Sequence, residues 1–167
     1  MSDRNYILTQ NQVSQKLQRL ALEVAEQLNG DDAELIIIGI RHGGGVTIAQ
    51  KISELVRPYV HMPIVVIEAE MNKDMPDDIV FSRDIDFNGK NVLITDDVSN
   101  SGKVLMYVLK PLLDFHPKRV QTLVLVERMH KLFPVKPDYV GLSLATTLQD
   151  HILVEVKGDE IIGAFLI

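Results

Sequence analysis

Residues 92 to 103 read Val92-Leu93-Ile94-Thr95-Asp96-Asp97-Val98-Ser99-Asn100-Ser101-Gly102-Lys103. The apolar, β-branched start suits a strand buried on both faces of a parallel sheet. Two carboxylates stand where that strand should end. A small polar turn follows and runs into an apolar-periodic segment, so the turn should sit at a helix N-terminus. There, free backbone N–H groups and the positive end of the helix dipole favour an anion. Ser99 and Ser101 add hydroxyls, and Lys103 adds charge. The acids Asp96 and Asp97 cannot hold a phosphate, but they suit hydroxyl groups or a cation. A ribose phosphate meets both requirements.

Working outward, the same alternation recurs. Leu35 to Ile40 is a continuous apolar run. Arg41-His42-Gly43-Gly44-Gly45 follows, then a helical pattern at Val46, Ala49, Ile52, Leu55 and Val56 that Pro58 closes. Val13, Leu17, Leu20, Ala21, Val24 and Leu28 give residues 10 to 29 an amphipathic helix. Ile64 to Ile67, Val120 to Val126 and Tyr139 to Leu142 read as further strands. Leu105, Val108, Leu109, Leu112 and Leu113 predict a helix that Pro111 kinks or ends. Asn88-Gly89 predicts a tight hairpin turn into the strand at 92. Ile152 to Val156 and Ile161 to Ile167, around Lys157-Gly158-Asp159, predict a C-terminal hairpin.

Strands alternating with helices predict a parallel sheet covered on both faces. Ligands of such sheets bind beyond the carboxyl ends of the strands. The loops at 41–45, 68–84, 96–103 and after Val126 should therefore meet on one rim. Arg41 can grip an anion there with two parallel N–H groups.

The chain has 167 residues, a net charge of −6 and no cysteine. That length favours a single domain, 1–167, with a sizeable core. The missing thiols exclude disulfides and thiolate chemistry and agree with a cytoplasmic setting. No apolar run reaches a membrane span. The acidic balance disfavours broad binding to nucleic acid. The five histidines show no metal-ligand spacing, and no Gly-x-Ser-x-Gly elbow supports a serine hydrolase.

The 92–103 string resembles the ribose-phosphate signature of type I phosphoribosyltransferases, which use 5-phosphoribosyl 1-pyrophosphate (PRPP). The run Val124-Leu125-Val126-Glu127-Arg128-Met129-His130-Lys131-Leu132-Phe133-Pro134, continuing to Gly141, is similar to one branch, the pyrimidine-operon attenuators and uracil phosphoribosyltransferases. The resemblance covers nearly the whole chain. It implies a twisted parallel sheet flanked by helices, with a small hood (about 127–137 and the C-terminal segment) and a C-terminal β-hairpin. A mobile flap would span about 70–84.

By resemblance, Asp96 and Asp97 bind the ribose hydroxyls, directly or through Mg²⁺, and are catalytic together with Arg41. Ser99, Asn100, Ser101, Gly102 and Lys103 wrap the 5-phosphate. Arg41, His42 and Gly43 form the pyrophosphate loop, which in this family often holds a non-proline cis peptide. Arg128, Met129 and His130 lie beside the base. The implied partners are PRPP and a nucleobase, with uracil favoured, and a second copy of the chain in a homodimer or larger assembly. RNA binding, as in the attenuators, is the alternative.

Several positions depart from the pattern. Val104 replaces a usual threonine. Asn100 stands where purine-type relatives carry an aspartate, and an amide cannot act as that base. His42-Gly43-Gly44-Gly45 replaces the branch's usual Thr-Arg-Gly, with one extra residue. Only Lys73-Asp74 remains of a Tyr-Arg-Asp-Asp flap string. The first helix keeps only Arg19 of the attenuators' RNA-contacting residues.

Overall fold

The computed structural model describes residues 4–71, 78–145 and 150–167. Among these residues nine strands form two sheets, accompanied by three α-helices. The larger sheet contains β2 (Leu35–Ile40), β3 (Ile64–Met71), β4 (Ile79–Phe81), β5 (Asn91–Ser99), β6 (Arg119–Arg128) and β7 (Tyr139–Leu144), in the order β4-β3-β2-β5-β6-β7. All neighbours in it are parallel except β3 and β4. The smaller sheet pairs β1 (Asn5–Thr9) and β8 (Ile152–Lys157) with the two edges of β9 (Glu160–Leu166), all antiparallel. The helices are α1 (Gln10–Gln27), α2 (Gly45–Val56) and α3 (Lys103–Leu112).

The apolar runs read from the sequence are the strands of the large sheet. β2 is buried at all six positions, and β5 at its first six, Asn91 to Asp96. Their side chains divide by alternation. Leu35, Ile37 and Leu93 join a cluster with α1 and α2, while Ile36, Ile38, Val92 and Ile94 join one with α3. From the small sheet, Leu8, Val154, Ile161 and Ala164 enter the first of these clusters, so both sheets share one apolar core. No helix among the described residues is long and apolar enough to cross a membrane.

The strand order reverses between β2 and β5. From β2 the chain crosses through α2 to β3 on one side, and later returns to place β5 on the other. The crevice at such a reversal, beyond the carboxyl ends, is where open α/β sheets take ligands. The loops after β2 and β5 both end there.

β1 is a strand that no apolar run in the sequence announces. Two expectations change. Asn88-Gly89 makes a turn, with Gly89 at φ 69°, but no hairpin. β4 pairs with β3, so the chain must travel back to start β5 parallel to β2. Asn88 instead accepts a hydrogen bond from His116 N–H at 2.6 Å through its Oδ1. Of the expected flap, residues 72–77 lie outside the described residues, and the parts that flank them form the β3–β4 pair. Pro111 acts as an early end, since α3 stops at Leu112.

Candidate active site

β5 carries its acids to the rim in register with β6, Asp96 opposite Val124 and Ser99 opposite Glu127. The chain then turns through Ser99 to Gly102 into α3. Gly102, at φ 84°, is the N-cap residue and supplies the left-handed conformation that side chains resist. A Cβ there would lie 3.2 Å from Phe133 O. The cap has no side-chain acceptor, and the first turn of α3 holds no acid. Ser101 Oγ accepts from Lys103 N–H at 3.2 Å. The amino end of α3 thus opens into a cavity of about 240 Å³. Residues 96–105, His42, Gly43 and Ile152–Val154 line it.

The Arg41–Gly45 loop is tied to this wall. Gly44 N–H donates to Asp97 Oδ2 at 2.8 Å. Thr95 Oγ1, fully buried, lies 3.0 Å from Gly45 O. A Cβ on Gly43 would fall 2.2 Å from Asp97 Oδ2, and its φ is 62°, so only glycine fits. Among the described residues all peptide bonds are trans, those of this loop included, in contrast to the cis bond frequent in the family.

The two acids are not equivalent. Asp96 is 5% exposed, and its Oδ1 accepts the N–H of Asp97 at 2.8 Å. Burial, and then the neighbouring Asp97 charge, push its pKa well above the ordinary carboxyl value. Asp97 is half-buried, and both its oxygens accept backbone N–H groups, from Gly44 and from Val98 at 2.8 Å. No cationic side chain pairs with either acid among the described residues. The Ser99 hydroxyl is buried and without a hydrogen-bond partner there. The wall therefore offers two carboxylates lacking counter-charge and one unmet hydroxyl.

The base-side residues separate. Arg128 is 6% exposed at the end of β6. Its Nε donates to Asn100 Oδ1 at 2.8 Å, and its guanidinium also reaches the carbonyl of Asp150. Arg128, His130, Asn100, Ser101 and Ile152 line a second cavity of about 320 Å³, contiguous in residues with the first. Met129 is outside its lining and is 58% exposed. Leu132 and Phe133 N–H both donate to Ser101 O, at 3.1 and 3.0 Å, which binds the base-side loop to the anion loop. Glu127 is buried between Lys131 Nζ at 2.7 Å and Ser143 Oγ at 2.8 Å. This support was unreadable in the sequence because β7 contributes half of it.

Arg41 departs furthest from its expected post. Its side chain is outside the lining of the 96–105 cavity and lies instead 3.4 Å from Glu70 and 3.9 Å from Glu68 on β3. His42 and Gly43 do line the cavity.

The donor set fits a cation held jointly with a substrate. Among the described residues no three His, Asp or Glu side chains gather to cage a metal. Mg²⁺ ordinarily needs only one or two carboxylates together with substrate phosphates and waters, and Asp96 and Asp97 meet that minimum.

The pattern of the phosphoribosyl transferase domain family matches residues 4–159. The chain is 31% identical over 175 residues to a "Bifunctional protein PyrR" of Roseiflexus sp. (strain RS-1), covering 96% of this chain and 93% of that protein. It is 29% identical over 161 residues to the PyrR protein of Macrococcus caseolyticus, covering 91% of each. The solved hypoxanthine phosphoribosyltransferase of Trypanosoma cruzi superposes with a TM-score of 0.81 over 97% of this chain and 95% of that one. At 14% identity that likeness is one of fold alone. An acid pair and an open helix end at the switch point of a parallel sheet, in a chain that matches the family pattern almost throughout, have one common explanation: the chain belongs to the phosphoribosyl transferase domain family, the type I phosphoribosyltransferases that draw on PRPP.

Proposed function

We propose that this protein transfers the 5-phosphoribosyl group of PRPP to a pyrimidine base, uracil, and releases pyrophosphate. The observation that carries this reading is the cavity wall of residues 96–105. It joins two carboxylates without counter-charge to an open helix N-terminus and an unmet buried hydroxyl. One end suits ribose hydroxyls, the other a phosphate.

In the reaction the C1–O bond to pyrophosphate breaks, and its electron pair leaves with pyrophosphate. The ring nitrogen of the base bonds to C1 and gives up its proton to water. Charge gathers on the leaving group while C1 turns cationic, so the protein's task is positioning and electrostatics. The loop from Ser99 to Lys103 anchors the 5-phosphate, and that binding energy orients C1. Asp97 faces the ribose side and also holds the Gly43–Gly44 backbone against the cavity. The Gly-rich loop N–H groups would face the pyrophosphate. Arg41 would join them after leaving Glu68 and Glu70, an exposed pairing of small worth. Mg²⁺, held by Asp96, Asp97 and the phosphates, would neutralise the pyrophosphate charge. The pyrimidine preference rests on the branch resemblance and on Asn100, which cannot take a proton from a purine nitrogen.

Incubating the full chain with PRPP, Mg²⁺ and a panel of bases, with pyrophosphate release as readout, tests the reading. Uracil should give the fastest release. A folded protein that turns over no base would overturn it.

RNA binding is the second reading, since the chain resembles the attenuator branch and its relatives are named bifunctional proteins. The basic residues of this chain give it little support. Lys118 and Arg119 stand at the start of β6 and Lys131 beyond its end, roughly 30 Å apart at the usual strand rise. Arg19, Lys118, Arg119 and Lys131 are each engaged, with Glu23, Asp31, the Gln27 carbonyl and Glu127 respectively. RNA affinity falling steeply with salt would restore this activity. The shared apolar core supports one domain spanning 1–167. The cytoplasmic setting and a homodimer or larger assembly belong to the same reading.

A further inference from the structure

We infer that Asn100 is a specificity-determining residue of this site, held by the buried Arg128 so that its amide offers N–H donors to a carbonyl oxygen of the base. The inference rests on the phosphoribosyl-transfer reading and deepens it.

The argument begins with an assignment that chemistry decides. An asparagine amide has an oxygen prong and a nitrogen prong that look alike in shape. A guanidinium carries donors only. The amide atom 2.8 Å from Arg128 Nε must therefore be the oxygen. The nitrogen prong then points the other way, and its two N–H groups meet no acceptor among the described residues.

Arg128 is a firm holder. It is 6% exposed, and its guanidinium also donates to the Asp150 carbonyl, so it cannot swing away freely. Asn100 itself is exposed and lines both cavities, the 240 Å³ one beneath the anion loop and the 320 Å³ one beside it. With ribose phosphate in the first and base in the second, the bond to be made lies where they meet. A donor fixed at that point pairs with a carbonyl oxygen. It leaves an apolar edge unpaired and opposes an amino group, and such mismatches separate similar bases well.

Arg128 is then a positioning residue that acts through Asn100. It has no need to touch the base.

The test is equilibrium binding, which needs no turnover. Uridine 5′-monophosphate, the product of the proposed reaction, probes the base. PRPP, which has no base, probes the anchor alone. Asn100→Leu is neutral, similar in size and on an exposed position. It should weaken uridine monophosphate at least about tenfold more than it weakens PRPP, the worth of one hydrogen bond at the upper end of its range. Arg128→Lys removes Nε and frees the amide to rotate. It should weaken the nucleotide less than Asn100→Leu does, and should add nothing in the Asn100→Leu background. Equal losses for both ligands, no loss for the nucleotide, or additive effects of the two variants would overturn the inference. If binding follows the expected pattern but PRPP and uracil yield no pyrophosphate, the transfer reading fails and this one stands.

Discussion

The amino ends of α1 and α3 are built on opposite plans. α1 opens with a complete capping box. Thr9 Oγ1 accepts from Gln12 N–H at 3.3 Å, and Gln12 Oε1 accepts from Thr9 N–H at 2.9 Å. α3 opens on Gly102, with no capping side chain and no acid in its first turn. The first helix satisfies its own end and is thereby stabilised. The third leaves first-turn donors to a visitor. α2 follows the second plan, with Gly44 as an uncapped start. The two helices that begin on the ligand rim are the two left open. Capping is thus absent where a ligand would supply it.

That contrast can be broken most forcefully at Lys103. Lys103→Glu places an acid in the first turn of α3, which suits the helix dipole and should raise helix stability by about 0.3–1 kcal/mol. It should also cut PRPP affinity about 100-fold, because a reversed charge beside a phosphate costs several kcal/mol at an effective dielectric constant of 20. Calorimetric titration alongside thermal melting checks both signs. Loss of stability together with affinity would mean that the open end is structural.

Asp97→Asn should have the next largest effect, weakening PRPP about tenfold, while Asp78→Asn, outside the site, changes little. Equal titration curves for the two variants would remove Asp97 from the site.

Asp96 sharpens the contrast through pH. Its folded pKa lies above the unfolded one, so the folded state keeps a proton that the unfolded chain has lost. Stability is therefore full below the ordinary carboxyl range and falls as pH rises through the raised folded value. Asp96→Asn should flatten this slope. It should melt higher than the parent at neutral pH, with the two curves meeting in acid, and with PRPP turnover lost. A parallel offset at every pH would contradict the assignment.

Thr9→Ala should show the smallest effect. It costs about 1 kcal/mol, a drop of roughly 2–4 °C for a chain of this size, with PRPP affinity unchanged. A change in affinity there would erase the distinction between the two helix ends.

The large sheet was legible because β2, β5 and β6 carry their own signal, with apolar runs bounded by glycine, proline and charge. β1 carries none. Only Leu8 of its five residues is buried, and its pairing depends on β9, more than 150 residues away. The acid pair and the anion loop were legible for the same local reason. The inequality of Asp96 and Asp97 was not, since adjacent carboxylates look alike until depth and backbone donors are known. Nor was the Arg128–Asn100 contact, which joins two strand ends 28 residues apart. Arg41 shows the limit in reverse. Its place in the loop was readable, but its side chain faces Glu68 and Glu70, which a neighbouring strand brings close.

Gly43 and Asp97 belong to different strand–loop units, yet a side chain at 43 would need the space that the Asp97 carboxylate fills. A side chain gained at 43 collides with the carboxylate at 97, so a small residue at 97 relieves the clash and leaves only the strain of the left-handed φ of 62°. Such a second change would restore the fold by discarding the acid. Suppressors of Gly43→Ala that map to position 97 should therefore recover soluble protein and not activity, which separates survival of the scaffold from survival of the enzyme.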